Sequence, residues 1–152
     1  PKVFRRMSRP KRSRRSEYRF FHPITTRWKD NDAFGHVNNV EYYSYFDTAV
    51  TYYLLRHDLI GVTDGEIITV VVETGCRYHA SVAFPDEITV GVRVARIGTS
   101  SVRYEIAVFR DDEDEAAAEG HFVHVYVARS GMRPVPIPEA SRAALAEIRV
   151  EG

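Results

Sequence analysis

Between Arg27 and Tyr42 the chain reads Arg-Trp-Lys-Asp-Asn-Asp-Ala-Phe-Gly-His-Val-Asn-Asn-Val-Glu-Tyr, and these residue types suit acyl-group chemistry. Asp32 stands six or seven residues upstream of a helix start at Asn38 or Asn39, on a tight loop that contains Gly35. A helix N-terminus carries unpaired backbone N–H groups and a partial positive charge. Such groups suit the oxyanion that develops when a carbonyl is attacked. A carboxylate held beside them can attack that carbonyl or take a proton from water. The set supports acyl transfer without a serine or cysteine nucleophile and without a metal. The same residues also describe an ordinary polar turn before a capped helix, and spacing alone does not choose between the two.

The helix that would supply this terminus follows at once. Tyr42, Phe46, Ala49, Val50, Tyr53 and Leu54 recur at intervals of three and four, which places them on one helical face. Asn38 or Asn39 is a suitable N-cap, and Glu41 falls in the first turn, where a carboxylate suits the helix dipole. The pattern ends near Gly61, which predicts roughly 17–20 residues and ~25–30 Å of helix. Upstream, Tyr18 to Trp28 reads as a strand that Pro23 confines to an edge or to two pieces. Downstream, Ile67 to Val72 is nearly continuous in apolar residues, which predicts a strand covered on both faces. Three further runs alternate with period two: Ile88 to Val94, Val102 to Val108, and Val123, Val125 and Val127. Turns are expected at Pro85-Asp86, at Gly98-Thr99-Ser100 and at the acidic run Asp111 to Glu115, read as a solvated hairpin tip. Pro134, Pro136 and Pro138 end the strands, and residues 139–148 form a short final helix. One early helix and several antiparallel strands must hide their apolar sides against each other, which predicts an α+β domain with a curved sheet around the helix.

Bulk properties narrow the possible functions. The 152 residues are 44% hydrophobic and 12% aromatic, enough for one domain with a buried core. No stretch reaches the roughly 18 apolar residues of a membrane helix, and the basic N-terminal stretch leads into no signal-peptide core. The single cysteine, Cys76, allows no intramolecular disulfide and reads as a small buried hydrophobe. These features fit a reducing, cytoplasmic setting. Residues 1–16 hold eight Lys or Arg and no acid, so the rest of the chain has 13 basic against 21 acidic residues, a charge near −8. A basic arm at 1–16 on an acidic single domain at 17–150 is not the footprint of a nucleic-acid-binding fold, and the arm is read as a solvated tail. No set of His, Cys and carboxylates has zinc-ligand spacing, so no metal is expected.

The pattern Arg27-x-x-Asp30-x-Asp32-x-x-Gly35-His36-Val37-Asn38-Asn39-x-x-Tyr42, followed by Tyr45-Phe46-Asp47-x-Ala49, resembles that of the hotdog-fold acyl-CoA thioesterases. The likeness is greatest to the hydroxybenzoyl-CoA thioesterase-like group, and the chain is also similar to plant acyl-carrier-protein thioesterases. It continues through Gly98 to Glu105 and Ala118 to Val127, and spans about residues 17–148. The resemblance implies a hotdog fold: one long central helix wrapped by a curved antiparallel sheet of five or six strands, with a short C-terminal helix. It implies that Asp32 is the catalytic carboxylate and that the backbone N–H of Asn39 polarises the thioester carbonyl, with Gly35 permitting the turn. His36 is a candidate for orienting Asp32 or water. Asn38 is a cap first and a water-positioning residue second, Tyr42 is core or pocket wall, and Asp30 is structural, binding loop N–H groups or Arg27. Arg96 and Arg103, flanking the Gly98–Ser101 turn, are candidates for coenzyme A phosphates. His79 is a candidate for the neighbouring subunit's site, because the resemblance also implies a homodimer or homotetramer with sites at the subunit boundary. Coenzyme A is then part of the substrate, and no separate cofactor is expected. Three other readings remain at this level: a thioesterase acting on acyl-carrier protein, a non-catalytic acyl-CoA-binding module, and a hotdog dehydratase or hydratase, whose Asp/His motif is not present.

Overall fold

Five strands and two helices follow one another as β1 (Phe20–Thr25), α1 (Asn39–Arg56), β2 (Ile67–Tyr78), β3 (Glu87–Ile97), β4 (Ser101–Arg110), β5 (Ala118–Ala128) and α2 (Glu139–Glu147). They are seen in a computed structural model that describes residues 11–59 and 65–151. All pairings are antiparallel, and the sheet order is β1-β3-β4-β5-β2. The long helix lies against one face of this sheet, packed chiefly over β3, β1 and β4. This is the hotdog fold, with five strands.

Helix α1 follows its pattern closely. Tyr42, Phe46, Ala49, Val50, Tyr53 and Leu54 are all buried, and they meet Ile88, Val90, Val92 and Val94 of β3 and Val102, Tyr104, Ile106 and Val108 of β4. The helix stops at Arg56, and the end expected near Gly61 lies outside the described residues. Where the helix crosses β5 the sheet has Gly120, because a Cβ there would collide with the Phe46 ring and stand 2.6 Å from the Gly75 carbonyl. Pro23 sits, as expected, on an edge strand, since β1 pairs only with β3. Beyond the end of β1, the C-terminal segment takes over that edge: Val94 N–H donates to Ile148 O, and Val150 N–H to Val94 O.

Two expectations are corrected. In β5 the residues facing the helix are Phe122, His124 and Tyr126, while Val123 and Val125 lie on the other face. Alternation of period two is the same in either register, and the bulkier rings fill the space under α1, with Phe122 edge-on to Phe46. In β2 the apolar run is not covered on both faces of the single chain. Ile67, Val71 and Val72 are 40%, 50% and 59% exposed, because β2 is an edge strand and α1 packs over β3, β1 and β4 instead.

The acidic tip and the described part of the basic arm also meet each other. Arg14 pairs with Asp114 at 2.9 Å and Arg12 with Glu115 at 3.3 Å, while the Arg15 guanidinium donates to the carbonyls of Asp111 and Glu113. Exposed pairs of this kind stabilise only slightly. They do bring Tyr18 over a small second core of Ala107, Phe109 and Ala116, on the sheet face away from α1. Among the described residues no helix is long and apolar enough to cross a membrane.

His124 gives the main core under α1 a pH dependence. Burial among Tyr104 and Phe122 lowers its pKa from 6.5 to about 4, so the fold holds it neutral. A folded value below the unfolded one means that its contribution is intact above 6.5 and is lost as the pH falls towards 4. Urea unfolding at pH 7 and pH 5 should therefore show the native chain losing about 2 kcal/mol more than His124→Phe. Equal losses in the two proteins would show that His124 does not carry this pH dependence.

Candidate active site

The loop before α1 is built around a buried charge. Asp30 is fully buried; its carboxylate accepts from the backbone N–H of Arg27 (2.9 Å), from Arg27 Nε (3.2 Å) and from the Tyr45 hydroxyl (2.7 Å), and it is ion-paired with Arg27 Nη2 at 3.0 Å. Burial alone would raise the Asp30 pKa, but the bonds from Tyr45 and Arg27 outweigh it and hold the group below its ordinary value. Tyr45 is pushed upward, first by burial and then by the anion beside it. The Asp30 carbonyl accepts the N–H of Asn38 at 2.8 Å, which ties the loop to the residue that caps the helix. The structural role expected for Asp30 matches this geometry.

From Asp30 the chain turns tightly. Asp32 N–H donates to the His36 carbonyl (2.8 Å) and Gly35 N–H to the Asp32 carbonyl (3.1 Å), while Phe34 N–H donates to Asp32 Oδ1 (2.8 Å). Gly35 has φ +82°, the left-handed region that favours glycine. Val37 N–H then bonds to the Val82 carbonyl, and Asn31 Oδ1 accepts from Phe84 N–H, so the segment after β2 braces the loop. Asn38 is the N-cap: its side chain accepts from Val40 N–H at 3.4 Å and its carbonyl from Glu41 N–H at 2.9 Å. Asn39 opens the helix, and its carbonyl accepts from the Tyr78 hydroxyl (2.9 Å).

These pieces surround one cleft of about 330 Å³, lined by Asp32, His36, Val37, Asn38, Asn39, Tyr42, Tyr78, His79, Ala80 and Ser81. Six residues named from sequence, Asp32, His36, Asn38, Asn39, Tyr42 and His79, are thus brought together, and Gly35 shapes the turn between Asp32 and His36. Tyr42 is buried and meets Tyr78 edge-on at 5.0 Å, and burial pushes its hydroxyl up to about 12. Tyr78, Ala80 and Ser81 were not picked out as site residues. They come from the end of β2 and beyond, and no local pattern connects that segment with residues 32–39. A half-buried carboxylate and a helix N-terminus on one cleft can together attack a carbonyl and hold the oxyanion that results.

Arg96 and Arg103 lie elsewhere in the single chain. They face each other across the β3–β4 pair, and Arg103 pairs with Val123 of β5, whereas Tyr78 at the cleft pairs with Ala118. Five strand residues separate those two levels, on the order of 17 Å. Arg103 also points away from α1, within 3.7 Å of Glu73 and 3.6 Å of Glu105, and with Arg77 and Arg93 it lines a second depression. His79 lines the cleft, but its Nε2 is 2.6 Å from a Glu119 carboxylate oxygen, and its side chain is 8% exposed. Among the described residues no group of three or more His, Cys, Asp or Glu could hold a metal.

Comparison with known proteins agrees with this geometry. A family model described as the thioesterase-like superfamily matches residues 26–145, which takes in the loop, α1 and the whole sheet except β1. The crystal structure of the PA5185 protein from Pseudomonas aeruginosa strain PAO1 is 52% identical, with 91% of this chain and 97% of that one covered and a TM-score of 0.89. A thioesterase from Thermus thermophilus, solved in complex with coenzyme A and zinc, is 34% identical over 84% of this chain and 92% of that one, with a TM-score of 0.70. The uncharacterized protein YsmA from Bacillus subtilis strain 168 is 24% identical over 135 residues, 89% of this chain and 90% of its own. Motif, fold and family match converge, and the chain belongs to the thioesterase-like superfamily.

Proposed function

We propose that the protein is an acyl-CoA thioesterase, in which water cleaves the acyl–sulfur bond to give a free acid and the coenzyme A thiol. The observation that carries this reading is the shared cleft: Asp32 and Asn39, the first residue of α1, line the same 330 Å³ space. The thioester carbonyl sits against the helix terminus, where the Asn39 N–H and the helix dipole stabilise the oxyanion. Asp32 acts on the carbonyl carbon directly or through a water whose proton it takes, and both routes use the same carboxylate. The sulfur departs as thiolate, a good leaving group, so the cleft does not need a strong acid at that position. Gly35 and Asn38 keep the loop and the cap in place. His36, with its main chain bonded to Asp32, is suited to orienting the carboxylate or the water. Tyr42 and Tyr78 form an aromatic wall for the acyl group. Kinship with the Thermus thermophilus thioesterase, solved with coenzyme A, supports coenzyme A as the carrier.

The site is completed by a second copy of the chain. Apolar residues 40–59% exposed on an edge strand, Ile67, Val71 and Val72, are a surface that strand pairing between copies would cover. The distance of Arg96 and Arg103 from the cleft of their own chain fits the same assembly, with the arginines serving substrate phosphates across the boundary.

Two outcomes test this function. Thiol release over a panel of short, long and aromatic acyl-CoAs should be measured for native protein and Asp32→Ala, and the variant should lose at least about 10²-fold in rate. Equal rates would remove Asp32 from the site, and release from an acyl-carrier protein alone would replace coenzyme A as the carrier. In sedimentation velocity the native chain should run as a dimer or tetramer and Val71→Asp as a smaller species, whereas a native monomer would sink the assembly.

A further inference from the structure

Helix α1 and the Asp32 loop are separate pieces of chain that must keep a fixed distance and angle if a carboxylate and a helix terminus are to act on one carbonyl. The buried Asp30 carboxylate joins them. One of its bonds comes from Tyr45, on the second turn of α1, and others come from Arg27 at the start of the loop. Arg27 in turn reaches Glu41 on the first turn, with Nη2 3.7 Å from Oε2. The Asp30 main-chain carbonyl holds the Asn38 N–H, one position before the terminus itself. Asp32 is only two residues further on. Any change in how Asp30 is held therefore moves both the cap and the acting carboxylate.

We propose that Asp30 and Tyr45 form a positioning pair that sets Asp32 against the N-terminus of α1, a role that rests on the thioesterase reading above. Neither residue lines the cleft, so neither touches substrate, and both act through the groups they hold. Tyr45 can be tested gently, because phenylalanine keeps the ring packed and removes only the hydroxyl. A misplacement on the order of 1 Å is enough to cost a large factor in rate without changing how substrate binds.

Native protein, Tyr45→Phe, Asp30→Asn and the double variant should be compared in two measurements. Residue-resolved amide exchange reads position directly: Tyr45→Phe should speed exchange at Asn38 while the β4 amides keep native protection. Hydrolysis of the acyl-CoA that native protein cleaves best reads the consequence: kcat should fall about tenfold or more in Tyr45→Phe with KM within about twofold. The double variant should be no slower than Asp30→Asn, as expected of residues acting as a unit. Native kcat and native Asn38 exchange in Tyr45→Phe would overturn the pair. So would equal loss of protection throughout β4, which marks general destabilisation. If Asp30→Asn does not fold, Tyr45→Phe decides alone. A native protein that cleaves no thioester removes the thioesterase reading, and the pairing is then judged on exchange.

Discussion

A carboxylate with no solvent exposure is the constraint on which the rest of the site depends. Asp30 has no solvent exposure, and a buried charge is tolerated only where hydrogen bonds and opposite charge replace water. Arg27 and Tyr45 supply both, and to reach Asp30 they must hold the loop and the helix at one separation. The bond from Asn38 to the Asp30 carbonyl extends that control to the helix cap. Removing either partner would leave the Asp30 carboxylate without a bond it needs out of water, so a loop held in this way has few alternative conformations.

Two aspartates two residues apart thus have opposite fates. Asp30 commits its oxygens to the protein, whereas Asp32 is half-buried on the cleft wall and, among the described residues, its side chain accepts a turn-forming bond from Phe34 at Oδ1 and no other. The first fixes geometry and the second is left accessible. Division of this kind follows from environment, since the residue type is the same. The helix start divides its groups in the same way: Asn38 satisfies the N–H groups of Val40 and Glu41, while Asn39 opens onto the cleft.

The single chain is asymmetric about its helix. Over β3 and β4 the residues under α1 are buried, and β1 adds the partly buried Phe20 and Ile24. At β2 the sheet ends in exposed valine and isoleucine, on the strand whose far end supplies Tyr78 to the cleft, with Ala80 and Ser81 just beyond. Apolar surface left at an edge that also borders the site ties any assembly through β2 to the site's completion.

Much of this was determined by local chemistry that a sequence displays. The helical spacing from Tyr42 to Leu54, the Asn cap, the Pro23 edge and the alternation in β3 and β4 are each fixed by periods and propensities of neighbouring residues. The order of Asp30, Asp32, Gly35, His36 and Asn39 likewise marked the loop and its family. Tertiary structure alone decided the features that depend on contact between distant segments. Which face of β5 meets the helix was set by ring size against Phe46, since period two allows either face. The exposure of β2 followed from the strand order, which leaves its apolar run at an edge. The bond from Tyr45 to Asp30, the pairing of the basic arm with the acidic tip, and the meeting of Tyr78 with Asn39 all join residues whose types give no hint of their partners. A residue's type states what it can bond, and only the folded chain brings the partner within reach.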